Sequence, residues 1–255
     1  MELMNLAEKI AVAAAELLSD RPPAFEIKEK TSAIDFATQM DLASEKFIVE
    51  EILRARPDDG IIGEEGSARP TSSGFTWVID PLDGTVNYFY GLPGWNVSIG
   101  VKDSDGVIAG AVCAPTINST WKAARGHGAY WNDKRIHCTQ VENMEEALLA
   151  TGIAYDRGLR IRQAELTSRV IPVIRDLRRA GAAAVDLCSV AMGAIDGYFE
   201  HSLHEWDWAA GSLIATEAGA LVTSGDGGPI VGNRLDEMIV AAGPRLHPKL
   251  LRLLA

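Results

Sequence analysis

One stretch of this chain, residues 77–87, constrains the fold more than any other: an apolar run that ends in two closely spaced aspartates. Asp80 and Asp83 are three positions apart; a proline fixes φ between them, and Gly84 permits an unusual backbone just after them. Such a turn can direct both carboxylates and the Leu82 carbonyl oxygen at one point, which is how hard, oxygen-seeking cations are held. A solvated Asp-Gly turn is the alternative, but six fixed residue types in eight positions favour a functional site.

The composition is that of a globular protein with a substantial core. The 255 residues are 47% hydrophobic and 23% charged, which suits one large domain or two modest ones that share an interface. The formal net charge of -11 argues against nucleic acid as a partner, because phosphate backbones require clustered Lys and Arg. It does not exclude a phosphorylated substrate, since bound cations reverse the local potential. Three widely spaced cysteines, Cys113, Cys138 and Cys188, indicate reduced thiols in a cytosolic protein.

The apolar N-terminal segment predicts an amphipathic helix rather than a leader peptide. Residues 10–18 are rich in alanine, but Glu2 and Glu8 precede them where a leader carries positive charge, and Glu16 interrupts them. Apolar residues recur at helical spacing over 3–17. No segment approaches the length that a membrane span needs. We therefore expect a cytoplasmic protein with no membrane partner.

The spacing of apolar residues changes near residues 137–145 and divides the chain into two parts. The first part, 1–140, predicts a mainly antiparallel sheet with helices packed on it, including a helix from Thr38 to about Arg56. Its predicted strands cover residues 25–30, 61–65, 75–80, 95–102, 106–114, 118–124 and 128–131. The second part, 141–255, predicts strands at 148–153, 195–200, 220–223 and 237–241 and helices at 158–179, 182–192, 207–218 and 247–254. Pro172 is a point at which the first of these helices could kink or split. Strands that alternate with helices indicate a layered α/β half, so the fold class is α/β with mixed α+β character.

Three other acidic residues become candidates once a metal site in the first turn is considered. Glu64 ends a short predicted strand between glycines, and an exposed acidic turn is the alternative reading. Asp207 lies at a predicted helix start, where it could simply cap the helix, but the small residues that follow it allow a close approach to a ligand. Asp41 also lies near a helix start, where plain solvation is the alternative.

Several carboxylates in one cleft repel each other and raise each other's pKa, so divalent ions are the natural way to keep them ionised. Arginine and lysine are scarce near these acids, and the His/Cys pattern of a zinc site is missing from the sequence. Ligation by oxygen alone points to Mg²⁺, with Mn²⁺ as a substitute. His201 and His204 are three apart, but no third ligand completes a metal-binding pattern with them.

These segments together resemble a known family. Residues 80–87 (Asp-Pro-Leu-Asp-Gly-Thr-Val-Asn) and 206–211 (Trp-Asp-Trp-Ala-Ala-Gly) are similar to the two signatures of the inositol monophosphatase family. Residues 63–65 and 35–41 match two upstream elements of that family in order and approximate spacing. The resemblance covers essentially the whole chain, and the paired signatures are highly specific.

The resemblance implies a five-layer αβαβα sandwich of the sugar and inositol phosphatase type. It also implies a homodimer, an active site between the two halves, and Li⁺-sensitive hydrolysis of phosphate monoesters with two or three Mg²⁺. The implied ligands of the first ion are Glu64, Asp80 and the Leu82 carbonyl, and those of the second are Asp80, Asp83 and Asp207; a third, weaker ion also uses Glu64.

The resemblance further implies roles in the reaction and in substrate binding. Thr85, hydrogen-bonded to Asp41, would orient and help to deprotonate the water that Glu64 and the first ion hold. The residues implied to contact substrate are Asp83, Gly84, Thr85, Ala183 and Glu200. Phosphoryl transfer needs in-line oxygens with neutralised charge on both sides, and two bridged ions provide this. A phosphorylated Asp80 of the haloacid-dehalogenase type does not fit, because Leu82 stands where that chemistry uses a second Asp.

The substrate is expected to be a small phosphorylated polyol, inositol 1-phosphate first. Val86 follows Thr85, where relatives that act on adenosine 3′,5′-bisphosphate or histidinol phosphate commonly have Lys. Glu200 favours a polyol because a carboxylate can accept two hydroxyl groups, although a salt-bridged strand end is the alternative. Ala182 stands where many members of the family have Ser or Thr. The Glu-Trp-Asp sequence that begins at Glu205 resembles that of the nucleotide bisphosphatases. Adenosine 3′,5′-bisphosphate, fructose 1,6-bisphosphate and a non-catalytic metal- or phosphate-binding role remain the alternatives.

Overall fold

The computed structural model describes residues 1–32, 34–230 and 237–255, which form seven helices and fifteen strands. The helices are α1 (Glu2–Ser19), α2 (Gln39–Ala55), α3 (Thr85–Tyr90), α4 (Arg157–Val170), α5 (Ala183–Ala191), α6 (Glu205–Glu217) and α7 (His247–Leu254). The strands are β1 (Ile27–Ser32), β2 (Asp35–Thr38), β3 (Gly60–Gly63), β4 (Ala68–Arg69), β5 (Thr76–Asp83), β6 (Asn96–Asp103), β7 (Gly106–Ala114), β8 (Ser119–Ala124), β9 (Ala129–Trp131), β10 (Lys134–Ile136), β11 (Leu148–Thr151), β12 (Asp176–Arg178), β13 (Gly197–His201), β14 (Leu221–Ser224) and β15 (Met238–Ala242).

The elements stack in five layers. Helices α1 and α2 cover one face of an eight-stranded sheet with the order β10-β9-β8-β7-β6-β5-β3-β4. Helices α5 and α6 lie between that sheet and a five-stranded sheet with the order β12-β11-β13-β15-β14. Helices α4 and α7 cover the outer face of the second sheet. The predicted mixed α/β fold and its αβαβα layering are therefore confirmed.

The first helix shows how sequence pattern becomes a layer. Its buried side chains, among them Met4, Ile10 and Leu18, recur every three or four positions and lie on the large sheet. Burying each larger side chain of this kind stabilises the fold by about 1.5–3 kcal/mol. The prediction of an amphipathic N-terminal helix is confirmed. None of the helices in the described ranges has the length and hydropathy that a membrane crossing requires.

Strand β5 runs through the large sheet and ends at the acidic turn. Seven of its eight residues are buried, and it pairs parallel to β3 and antiparallel to β6. Because β3 and β5 are parallel, their carboxyl ends meet at one edge, where the Glu64 N–H donates to the Ile79 carbonyl at 3.2 Å. The pairing with β6 shifts register between Asp80 and Asp83, a bulge that bends the strand there.

Small residues let helix α6 lie unusually close to the large sheet. A Cβ atom on Gly110 of β7 would lie 2.9 Å from the Ala210 Cα, and one on Gly100 of β6 would lie 3.1 Å from the Ala209 Cβ. Larger side chains at these positions would force the helix away from the strands. This contact sets the position of the first turn of α6, which carries Asp207.

One predicted helix was too long, and several short strands were missed. The helix predicted over 158–179 ends at Val170, because Pro172 has no N–H to continue it, and a 3₁₀ turn at Ile171–Val173 follows. The remaining residues form β12, an edge strand that pairs parallel with β11. The short elements β2, β4 and β10 were not predicted as separate strands. The division into 1–140 and 141–255 stays a prediction, since the α5–α6 layer packs against both sheets.

Candidate active site

The turn after β5 requires its glycine. Gly84 has φ +84° and precedes α3, which begins at Thr85. A side chain at Gly84 would also meet Ala182 and the Gly181 carbonyl, whose nearest atoms lie 3.3 Å from the position of a Cβ atom. The left-handed backbone and the close neighbour together exclude other residues. The turn is thereby held against the segment that leads into α5.

Asp80 and Asp83 are both buried and point into the same region. The Leu82 N–H donates to Asp80 Oδ1 at 3.0 Å, and Asp83 Oδ2 accepts the Asn96 side-chain amide and the Ala184 N–H, each at 2.9 Å. Burial raises the pKa of Asp83 to about 6, although the Asn96 hydrogen bond opposes the shift. Burial raises the pKa of Asp80 well above its usual range, and the charges of Glu64, Asp83 and Asp207 add to this.

Glu64 and Asp207 reach the same place from two other elements. Glu64 follows β3 directly, and Asp207 lies in the first turn of α6, where its Oδ2 accepts the His204 N–H at 2.5 Å. Burial raises the pKa of Asp207 well above its usual range, with Glu64 and Asp83 as the next causes. The charges of Glu64 and of neighbouring aspartates thus add to the rise in the pKa of Asp80 and of Asp207.

Lys30 joins these acids, and the sequence interpretation missed it. Its ammonium group lies 2.8 Å from Glu64 Oε1 and 2.5 Å from Glu65 Oε1. Burial alone would lower the pKa of Lys30, but Glu64 and Glu65 raise it above its usual value. Lys30 lies on β1, more than thirty residues before Glu64, so that only the folded hairpin reveals the contact.

The donor set fits a hard divalent cation, although its groups bind other partners here. Within residues 1–32, 34–230 and 237–255, no three His, Cys, Asp or Glu side chains stand ready as a metal-binding group. Glu64 binds Lys30, and Asp207 and Asp83 each accept a backbone N–H group. The carboxylates are nevertheless oxygen ligands of the type that Mg²⁺ takes, with no sulfur or imidazole among the predicted ligands.

Thr85 and Asp41 form a second hydrogen-bonded unit beside the acids. Thr85 Oγ1 donates to Asp41 Oδ1 at 2.9 Å and also lies 3.1 Å from the Leu82 carbonyl. Asp41 is fully buried and its other oxygen accepts the N–H and hydroxyl of Thr38 at 2.8 and 2.7 Å. Burial raises the pKa of Asp41, whereas these hydrogen bonds lower it. With its hydrogen directed to Asp41, the Thr85 hydroxyl has lone pairs free to accept a hydrogen bond from a water molecule, and it can take that water's proton by passing its own proton to Asp41.

Glu200 and Ala183 belong to other elements: Glu200 lies on β13 of the second sheet, and Ala183 is the first residue of α5. The Tyr198 hydroxyl donates to Glu200 Oε2 at 2.5 Å, and Gly152 leaves the space that the Glu200 carboxyl fills. Burial raises the pKa of Glu200 to about 7, against the hydrogen bond from Tyr198. Ala183 begins α5, and its N–H is directed to the Asp83 carboxylate.

Comparison with known proteins now identifies the family. The sequence profile of the inositol monophosphatase family matches residues 1–255. The chain belongs to the inositol monophosphatase family. Inositol-1-monophosphatase SuhB of Mycobacterium tuberculosis (strain ATCC 25618 / H37Rv) is 42% identical over 235 residues, covering 88% of this chain and 80% of that protein. Nus factor SuhB of Escherichia coli (strain K12) is 35% identical over 257 residues, covering 98% of this chain and 94% of that protein.

Solved structures of the inositol monophosphatase family share the fold. The crystal structure of the extragenic suppressor protein suhB from Bartonella henselae has a TM-score of 0.94 and 32% identity, covering all of this chain and 98% of the other. Mycobacterium tuberculosis SuhB has a TM-score of 0.84 and 37% identity, covering 99% of this chain and 95% of the other. The chain is therefore an enzyme, a phosphatase of the inositol monophosphatase family, and the predicted family is confirmed.

The acids predict how the melting temperature of the protein responds to pH and Mg²⁺. The folded-state pKa values of Asp83 (about 6) and Glu200 (about 7) lie above those of the unfolded chain, so the folded state holds extra protons between about pH 4 and 7. Their stabilising effect is complete below the unfolded values and is lost as pH rises through the folded ones. We therefore expect the melting temperature to fall more between pH 5 and pH 8 in EDTA than it does in Mg²⁺.

Magnesium in hundredfold excess over its dissociation constant stabilises a binding protein by about 2.7 kcal/mol, roughly 5–10 °C for a chain of this size. We expect this increase at pH 8 and a smaller one at pH 5, where protons compete for the carboxylates. Differential scanning calorimetry in EDTA and in Mg²⁺ measures this increase at each pH. Subtracting the melting temperature in EDTA from that in Mg²⁺ removes the contribution of histidines outside the site, because they titrate in both conditions. Equal increases at the two pH values would contradict the prediction.

Proposed function

We propose that the protein hydrolyses the phosphate monoester of a small polyol, inositol 1-phosphate first, by attack of water that divalent cations activate. One observation carries this proposal: Thr85 and its partner Asp41 lie beside the acids at the end of β5, just after β3 and in the first turn of α6. A hydroxyl that can accept a proton thus stands next to ligands for the ions that acidify water.

The proposed metal is Mg²⁺, two or three per site, with Mn²⁺ as a substitute. Glu64, Asp80 and the Leu82 carbonyl would hold one ion, and Asp80, Asp83 and Asp207 another. When bound, the ions would lower the pKa of a coordinated water and neutralise the attacking and leaving oxygens. Glu64 must exchange Lys30 for an ion in this arrangement, since its Oε1 contacts the Lys30 ammonium now.

The chain's own groups complete the reaction. The Thr85 hydroxyl, whose hydrogen is directed to Asp41 Oδ1, accepts a hydrogen bond from the attacking water and orients it together with Glu64. The amides of Gly84 and Thr85, at the start of α3, hold the phosphate oxygens. Asp83 and the Ala183 N–H meet in the structure and would rearrange around a substrate hydroxyl. In this proposal the site lies between the halves 1–140 and 141–255.

A polyol is favoured over a nucleotide by the surroundings of two acids. Glu200 is bonded to Tyr198 rather than to a basic residue, so it can accept hydroxyl groups as a carboxylate. Glu205, the feature similar to nucleotide bisphosphatases, lies 2.6 and 2.7 Å from the Lys102 ammonium. This ion pair gives Glu205 a structural role next to β6. The proposal also includes a cytoplasmic homodimer that Li⁺ inhibits.

A substrate panel tests the proposal. Inositol 1-phosphate, fructose 1,6-bisphosphate and adenosine 3′,5′-bisphosphate are assayed for phosphate release in Mg²⁺, in Mn²⁺, in EDTA, and in Mg²⁺ with Li⁺. We expect kcat/KM for inositol 1-phosphate to exceed that for the nucleotide at least about tenfold, corresponding to one or two lost polar contacts. Faster release from adenosine bisphosphate would assign the nucleotide function instead. Release of no phosphate from any compound would favour a non-catalytic role.

A further inference from the structure

Asp186 is a buried acid that the proposed mechanism does not use. It lies in the first turn of α5 and is only 4% exposed. Its Oδ2 atom has no hydrogen-bond partner among the residues that the structure describes. An unsatisfied buried acceptor costs about 1–3 kcal/mol, so such an atom in a native protein calls for a ligand or a functional reason.

The surroundings of Asp186 place it on the substrate side of the site. It lies two residues after Ala184, whose N–H donates to Asp83 Oδ2 at 2.9 Å, and α5 packs against β13, which carries Glu200. Glu200 and Asp83 are both proposed substrate contacts. Burial raises the pKa of Asp186 well above the usual range, the charges of Glu200 and Asp83 add to this, and that of Arg179 opposes it. Asp186 and Glu200, from α5 and β13, therefore lie in one region next to Asp83.

Two carboxyl groups facing one region suit neighbouring hydroxyl groups better than other ligands. Each hydroxyl of a polyol can donate one hydrogen bond, and a carboxyl oxygen accepts it readily. Glu200 already has one oxygen engaged by Tyr198, and Asp186 contributes an oxygen with no partner in the described residues. Burial raises the pKa of both acids and the charge of Arg179 opposes the shift. In either protonation state a carboxyl group keeps an oxygen that can accept a hydroxyl hydrogen.

We propose that Asp186 is a second hydroxyl-binding residue of the substrate site, whose Oδ2 accepts a polyol hydroxyl next to the one that Glu200 binds. The proposal rests on the proposed phosphatase function and narrows its substrate class to phosphate esters with at least two adjacent hydroxyl groups. A phosphate ester without hydroxyl groups gains nothing from Asp186.

The test compares two substrates in three variants. Inositol 1-phosphate carries the hydroxyl groups, and p-nitrophenyl phosphate has none. Asp186→Ala removes the acceptor, Asp186→Asn keeps its shape without the charge, and Asp196→Asn is the matched control. Asp196 is a buried aspartate of the same half whose Oδ2 accepts the Leu148 N–H at 2.8 Å. All assays are made in saturating Mg²⁺, with the melting temperature of each variant as a check of folding.

We expect Asp186→Ala to raise KM for inositol 1-phosphate about tenfold with kcat changed less than about threefold, the pattern of a lost binding contact. Asp186→Asn is expected to show a smaller increase. Both should leave KM for p-nitrophenyl phosphate within about twofold of the wild type, because that substrate has no hydroxyl to lose. Asp196→Asn should leave both KM values within the same range. If Asp186→Ala failed to fold, Asp186→Asn would carry the comparison.

Two outcomes would overturn the inference alone. Equal changes in KM for both substrates would show that Asp186 acts on the site through structure, and no change for either would show that it does not contact substrate. In both cases the wild type still releases phosphate in Mg²⁺, so the proposed function stands. A wild type that hydrolysed neither substrate would overturn the proposed function and this inference with it.

Discussion

An Asp80→Asn variant is expected to lose at least about a thousandfold in kcat/KM while it keeps its fold, because a shared ligand of two ions is removed. Asp80 is 2% exposed, and the charges of Glu64, Asp83 and Asp207 all act on it. Replacing its carboxylate by an amide of the same shape removes the proposed bridge. The same change relieves repulsion among the acids, so the melting temperature in EDTA should stay equal or rise.

Two measurements check this prediction. Steady-state kinetics on inositol 1-phosphate over a wide range of Mg²⁺ gives the loss of activity, and calorimetry with and without Mg²⁺ should show that the stabilisation by the ion has disappeared. Asp59→Asn is the control, since Asp59 is also buried but binds Arg56 and the Trp77 indole before β3. It should lower the melting temperature and leave the Mg²⁺ response intact. Activity of Asp80→Asn within tenfold of the wild type would refute the bridging role.

A Thr85→Ala variant is expected to lower kcat about a hundredfold and to change KM less than about threefold, as loss of one proton-accepting group does. The Thr85 hydroxyl donates to Asp41 Oδ1 at 2.9 Å, which leaves its lone pairs for the attacking water. The methyl group of Ala cannot orient that water. The backbone N–H proposed to hold phosphate is retained, so binding should change little.

Thr85→Ser separates chemistry from packing in this case. Serine keeps the hydroxyl and its bond to Asp41 but lacks the methyl group, so its kcat should lie within about tenfold of the wild type. Single-turnover kinetics with saturating inositol 1-phosphate isolates the chemical step from product release. An effect of Thr85→Ala that is confined to KM would contradict the proposed role, as would an equal loss in the serine variant.

The sequence was informative wherever chemistry lies in consecutive residues. The turn at Asp80 and Asp83 combines two acids with a proline and a glycine at fixed positions, and the proline and glycine each constrain the backbone directly. The helix that was predicted to begin at residue 207 begins at Glu205, so its start was predicted to within two residues. In that helix Asp207 hydrogen-bonds the N–H of His204, as an acid in the first turn commonly does.

The sequence was uninformative wherever the partners lie far apart in the chain. Lys30 reaches Glu64 because β1 and β2 fold into a hairpin that brings its side chain to that acid. The sequence interpretation considered only basic residues that lie near the acids along the chain, and so it missed this contact. Asp186 belongs to no motif, and its isolation is visible only once α5 packs between two sheets. Pro172 marked the point where the helix predicted over 158–179 could split, but the strand after it depends on β11 as a neighbour.

The glycines of the large sheet have a consequence for how this enzyme can change over evolution or in the laboratory. Gly100 and Gly110 touch no candidate ligand, yet their missing side chains set how deeply the helix bearing Asp207 settles onto the strands that support Asp80 and Asp83. A methyl group added at Gly110 would lie 2.9 Å from the Ala210 Cα, so that helix would have to shift relative to the strands. The distances between the candidate metal-binding carboxylates thus depend on glycines that carry no reactive group.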